Sequence, residues 1–372
     1  MANPLAQLGP TICLLQESIK FLPAVGGATE ELVRPDQEEI DDTLIHSQLN
    51  KITDFAEVPT PSIDQIYRPA PPLFRREKHL FRFFIDGSFR TYFLGTGVEG
   101  NRSFPVMLAQ IGGAVIHRDD EGRLSTVHQK RELILLLPAS GAGISDTVWH
   151  RLEVLQGPDF FRLVNYELPD PLTEDKKDPR DKAGGKVRAE MHELEAKLIE
   201  TTNGQRNENN WLIIDGATKF DRFIQAPYLI GVAKAFSKQP EFIFGGTKTK
   251  RDVTSILAGL PHCHRTVAFS AYDGKVAFWY VRIREQRNLD YPLMGVLKVE
   301  LPTPDQKPVP AELIDLLSCA LVAERSVSPY GKDKRWHCTI YPIYIAEQVI
   351  KNSFFSNQVI LNACKLQGFT GG

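Results

Sequence analysis

Long apolar runs are missing from this sequence: no stretch approaches the ~18 uninterrupted apolar residues of a membrane-spanning helix. The N-terminus lacks the basic start and apolar segment of a secretory signal. Cysteine is scarce and unpatterned. Cys13, Cys263, Cys319, Cys338 and Cys364 include no C-x-x-C pair, which fits a reducing cytoplasm rather than a secreted disulfide scaffold. His262-Cys263-His264 has the residue types of a metal tract. Neighbours on a strand point to opposite faces, however, and no second pair completes a site, so coincidence is the favoured account. An excess of one charge is absent too. The formal net charge of -2 excludes a basic nucleic-acid coat, so any DNA binding rests on local runs. Lys248, Lys250 and Arg251, or Arg75, Arg76 and Lys78, are such runs, and each is also what an ordinary solvated face looks like. These absences predict a soluble, cytoplasmic protein with no membrane segment.

The 372 residues are 42% hydrophobic, enough for a core that needs neither disulfides nor structural metal. Residues 1–75 read as an N-terminal extension and linker. A weak amphipathic segment covers roughly Leu14 to Leu22, followed by an acidic stretch from Glu30 to Asp42. Pro59, Pro61, Pro69, Pro71 and Pro72 then resist both helix and central strand. A docking arm is the expectation here, with the folded domain over residues 76–372.

Within that domain Phe81 to Ile85 is a short aromatic strand ending at Asp86-Gly87-Ser88. Gln110 to His117 and Glu132 to Leu137 are two more strands, joined at the turn Asp119 to Gly122, and the three suggest an antiparallel meander. Residues 139–186, rich in glycine, proline and charge, read as an insertion or mobile loop. Val187 to Thr202 is helical in pattern, and Trp211 to Ile214 is a buried strand ending at Asp215-Gly216. A second helix starts near Pro227 and runs through Lys234. Strands at Val276 to Ile283 and Met294 to Leu301 and helices at Ala311 to Glu324 and Ile345 to Phe354 complete an α/β fold with a mixed sheet.

Two strands thus end alike, in Ile85-Asp86-Gly87 and Ile214-Asp215-Gly216. Ligands of α/β sheets gather at the carboxyl ends of strands, and a following glycine lets the chain approach a ligand. Asp-Gly is also a common turn dipeptide, and two occurrences leave the metal and turn readings evenly balanced. The helix tips that balance. Met191, Leu194, Leu198 and Ile199 form one stripe at helical spacing, and Glu195 falls inside it. A core-facing glutamate is costly unless something pairs with it. Carboxylate oxygens without clustered histidine or thiolate suit Mg²⁺ or Mn²⁺. A pair of such ions about 4 Å apart clamps the two oxygens exchanged in phosphodiester hydrolysis. Lys234 could hold a phosphate as a point charge, or be an ordinary surface lysine.

Phe84-Ile85-Asp86-Gly87-Ser88, the helix Arg188 to Glu195, Leu212 to Gly216, Ile230 to Lys234, and Tyr341-Pro342 with Ala346-Glu347 together resemble the successive motifs of the NurA nucleases. The resemblance spans roughly residues 80–355 and lies in order and spacing, each motif being short. It implies a ribonuclease H-like mixed sheet flanked by helices, Mn²⁺-dependent DNA cleavage, a homodimer, and work beside the hexameric ATPase HerA at DNA ends. By motif, Asp86, Glu195 and Asp215 would be metal ligands. Family members often carry histidine or aspartate on the last helix after Tyr-Pro; Glu347 is the nearest equivalent, and His337 a weaker one. Two alternatives stay open: a decayed DNA-binding or ATPase-docking subunit of the same fold, and a ribonuclease H-like enzyme acting on RNA or a hybrid.

Overall fold

The longest strand among the described residues, Phe81–Glu99, runs through 19 residues buried for much of their length on both faces, far past the aspartate where the sequence suggested an end. The computed structural model describes residues 5–24, 51–52, 54–62, 64–74, 79–139, 143–157, 160–168, 178–236, 241–243, 250–286, 293–325 and 336–364. Among them, twelve strands form one large mixed sheet flanked by helices. In chain order these are β1 (Lys20–Pro23), β2 (Tyr67–Pro69), β3 (Phe81–Glu99), β4 (Arg102–Arg118), β5 (Leu124–Leu137), β6 (Phe161–Asn165), β7 (Trp211–Asp215), β8 (Leu229–Ala233), β9 (His264–Thr266), β10 (Phe269–Ala271), β11 (Val276–Arg282) and β12 (Val296–Pro302). Their order across the sheet is β2-β9-β11-β12-β8-β7-β3-β4-β5-β6, with β1 added to β3 and β10 to β11.

The expected meander is present as β3-β4-β5, antiparallel throughout. On the other side of β3 lie β7 and then β8, both parallel. The main helices are α1 (Leu8–Ser18), α2 (Asp146–Glu153), α3 (Pro179–Glu200), α4 (Ala311–Glu324), α5 (Tyr341–Ser353) and α6 (Asn357–Cys364). Period-two alternation sends Ile85, Leu212 and Ile214 to one face, under Met191, Leu194 and Leu198 of α3. Phe84, Ile213 and Val232 go to the other, under Ile314 and Leu317 of α4 and Ile343 and Ala346 of α5. Each such fully buried side chain contributes about 1.5–3 kcal/mol. No helix among the described residues is long and apolar enough to cross a membrane.

Several expectations need correction. The 1–75 segment is not a separate arm where it is described. Leu8, Ile12 and Leu15 of α1 are fully buried, and β1 pairs with Gly95–Val98 of β3. β2 closes the far edge of the sheet beside β9. Prolines are tolerated at edge strands, and Pro23 and Pro69 end theirs. The acidic stretch Glu30 to Asp42 lies outside the described residues. The 139–186 insertion contains α2, the edge strand β6 parallel to β5, and the first two turns of α3. That helix starts at Pro179 because Asp178 caps it, its side chain accepting from the Arg180 N–H at 2.8 Å. Finally, Lys234 follows a strand rather than riding on a helix. The only helical turn between β7 and β8 is Asp221–Ile224, and Leu229–Ala233 extends because it pairs with β7.

Candidate functional site

The register of three strands brings two of the predicted residues together. Phe84 pairs with Ile213 and Ile85 with Ile214, so Asp86 and Asp215 follow side by side on neighbouring strands. Both keep the parity of Phe84 and Ile213 and emerge on the face covered by α4 and α5. Asp86 is not at a strand end, because β4 pairs with β3 well beyond it. It lies level with the end of β7, where β3 loses its neighbour on that side. Gly216 turns the chain away at once, with φ +110, a conformation open chiefly to glycine.

Lys234 comes from the next strand. Val232 pairs with Asp215, and two residues on the Lys234 ammonium donates to Asp215 Oδ2 at 2.8 Å. On α5, Ile343, Ala346 and Ile350 face the sheet, and Gly112 leaves the space that Ile350 occupies. Glu347 stands at the edge of that stripe, half-buried and paired with Lys351.

Glu195 arrives from the opposite layer. It is 2% exposed, whereas Glu193 and Glu200 pair with Arg222 and Glu190 with Arg162 and Lys186. What lets it approach β3 is Gly87. A Cβ there would lie 2.5 Å from Glu195 Oε1 and 2.9 Å from its carboxyl carbon, so the carboxylate fills the space of the missing side chain.

Each of these groups acts on the Asp86 carboxyl. Burial, then the Asp215 carboxylate, raise the Asp86 carboxyl well above its ordinary range; Lys234 opposes this, and Glu347 and Glu195 add to it. For Lys234, burial favours the neutral amine. Asp215, Asp86, the hydrogen bond to Asp215 and Glu347 outweigh it and hold the ammonium charged, its pKa above that of an ordinary lysine. One buried ammonium, that of Lys234, thus stands between the Asp215 and Asp86 carboxyls.

No family model matches the chain, and no curated protein matches its sequence. The site therefore has to be read from its own chemistry. Among the described residues, no three His, Cys, Asp or Glu side chains form a group that could hold a metal ion as they stand. Lys234 engages Asp215 and Lys351 engages Glu347 instead. The donor set nonetheless suits a hard divalent cation: buried carboxylate oxygens whose mutual repulsion a cation would relieve.

Other predicted features stand apart. His337 accepts the Gly295 N–H on its Nδ1 at 2.9 Å. The His262-Cys263-His264 tract satisfies itself, with His262 Nε2 3.3 Å from Cys263 Sγ and His264 Nδ1 2.9 Å from the His262 carbonyl oxygen. Lys250 pairs with Glu241 at 2.9 Å, while Lys248, Arg75, Arg76 and Lys78 lie outside the described residues. One residue the sequence reading passed over is Glu300 on β12, 1% exposed, which accepts the Thr218 N–H at 2.7 Å and so fixes the loop leaving Asp215. Its signal was a Lys-Val-Glu charged pair inside an apolar strand.

The Gly87 gap yields a direct test. Alanine at this position drives a methyl into a carboxylate that is buried and cannot retreat to water. Gly87→Ala is expected to cost about 1–3 kcal/mol of stability and, in the reading below, roughly 10²-fold in catalytic rate by displacing Glu195. Chemical denaturation and single-turnover cleavage measure the two effects; wild-type values for both would show that the carboxylate is free to move.

Proposed function

We propose that the protein is a metal-dependent deoxyribonuclease of the NurA type, with Mn²⁺ or Mg²⁺ held by Asp86, Asp215, Glu195 and Glu347. The observation that carries this reading is the register that sets Asp86 beside Asp215 on neighbouring strands, with the Lys234 ammonium 2.8 Å from Asp215 Oδ2. The strand order supports a ribonuclease H-like core. An antiparallel trio, β3-β4-β5, is followed after α3 by β7 and β8, laid parallel on the free side of the first strand. The homodimer and the HerA-type ATPase partner belong to the same proposal and rest on the motif resemblance.

When bound, the metal supplies Lewis-acid stabilisation of the phosphodiester and an activated water. The protein's own residues do the rest. Asp86 and Asp215 come from neighbouring strands of a rigid sheet, which would keep their geometry fixed through turnover. Lys234 holds Asp215 and adds a positive charge where a phosphate oxygen would approach. Glu195 would reach the metal from the α3 face beside Gly87, and Glu347 from α5.

The test is incubation of purified protein with end-labelled single- and double-stranded DNA in Mn²⁺, Mg²⁺ or EDTA. Cleavage is expected with Mn²⁺ and abolished by EDTA. Glu347→Gln is expected to lose only on the order of 10–100-fold, no more than an outer partner contributes, because this ligand is half-buried and water can replace it. A protein that binds DNA yet cleaves with no divalent ion belongs instead to the non-catalytic, DNA-binding reading.

A further inference from the structure

Glu195 has two oxygens in different surroundings. Oε1 lies against the Gly87 gap, and Oε2 accepts a hydrogen bond from His192 Nδ1 at 2.8 Å. His192 sits one turn earlier on α3, and its ring is confined by two phenylalanines. Phe223, itself buried, stands edge-on at 6.1 Å and 90°, and Phe220 lies at 6.3 Å. The two phenylalanines hold each other edge-to-face at 5.2 Å. They come from the segment that leaves Asp215 through Gly216, the loop fixed by Glu300 through Thr218. The imidazole thus links the helix carrying Glu195 to the segment following Asp215.

We propose that His192 is a positioning residue for metal uptake: it immobilises Glu195 through Oε2 and leaves Oε1 at the Gly87 gap, beside the residue that follows Asp86. This rests on the metal-dependent reading above. A metal-binding carboxylate free to rotate loses affinity to its own disorder. An outer partner that fixes it typically contributes 10–100-fold in metal affinity. The hydrogen bond is local, three residues apart on one helix, so its loss need not disturb the fold.

The experiment is Mn²⁺ binding to the full chain, followed by the electron paramagnetic resonance signal of free Mn²⁺, for wild type, His192→Ala and His192→Asn. Circular dichroism and thermal melting follow folding in parallel. His192→Ala is expected to weaken Mn²⁺ binding by about 10-fold or more. His192→Asn, which keeps a donor near Nδ1, is expected to recover most of it. In cleavage assays the half-saturating Mn²⁺ concentration rises in the alanine variant by the same factor, while the rate at saturating Mn²⁺ changes little. Unchanged Mn²⁺ affinity in folded His192→Ala overturns the assignment. So does a loss that asparagine fails to reverse, since the ring packing and not the hydrogen bond would then be responsible. A wild-type protein that takes up no Mn²⁺, with or without DNA, overturns the metal reading itself and this inference with it.

Discussion

Asp86→Asn is expected to abolish cleavage and stabilise the protein at the same time. The amide keeps the shape of the carboxylate and removes the charge that offsets a divalent cation. Cleavage at saturating Mn²⁺ is expected to fall by roughly 10³–10⁴-fold, ~4–5.5 kcal/mol of barrier. The stability effect has the opposite sign. Burial and the neighbouring Asp215 hold the Asp86 carboxyl above its ordinary value of 3.8, so the folded state favours the protonated form. The stability this confers is complete below the unfolded pKa and is lost as pH rises through the folded one. Asparagine never ionises and retains it at every pH. Without metal, the variant therefore melts higher than wild type at neutral pH, and the difference closes toward acid pH. Added Mn²⁺ reverses the order, because a ligand that binds only the native state stabilises it and the variant has lost a binding group. Melting curves at several pH values, with and without Mn²⁺, read all of this. A variant that melts below wild type at neutral pH without metal contradicts the electrostatic account. Near-wild-type cleavage by the folded variant puts the active centre elsewhere.

That Asp215 was legible from sequence follows from its surroundings. A five-residue apolar strand with both faces buried ends on an aspartate, and the glycine after it has the φ that a sharp exit needs. Glu195 was legible for a related reason: helical periodicity fixes which side of α3 is buried whatever it packs against. Asp86 reads from the sequence as the end of a strand, and it is not one. Ser88 to Phe93 is itself strand-forming, so β3 continues, and the site arises because its parallel neighbour stops. Lys234 was assigned to the wrong element because Pro227 looked like a helix start, whereas the backbone there follows β7. The roles of Gly87, His192 and Glu300 depend on contacts between elements, and no local pattern in the sequence encodes those. The same holds for the insertion, where a Gly-Gly and a charged run obscured a capped helix start at Asp178-Pro179.

The segment misread most completely also gives the clearest test of the fold. Removing residues 1–24 is expected to destabilise the whole protein rather than release a loose arm. Helix α1 closes a third core, in which Leu8, Ile12 and Leu15 pack with Tyr92, Leu94, Val106 and Leu108 from the far halves of β3 and β4, and with Ile360 of α6. Without it, those strand residues face water as a contiguous apolar patch beside an unpaired stretch of β3, which favours aggregation. A single substitution separates packing from chain length. Ile12→Ala, at a fully buried position, is expected to cost about 2–5 kcal/mol and to lower the melting temperature by roughly 5–10 °C. The catalytic consequence differs from that of a site mutation. Asp86 lies before the register shift between Phe93 and Gly95, and it belongs to the part of β3 that the other two cores clamp. Cleavage per folded molecule should therefore survive in Ile12→Ala well below its melting temperature, while its loss on heating comes earlier. An unchanged melting temperature in both Ile12→Ala and the truncated protein would return residues 1–24 to the status of an independent arm.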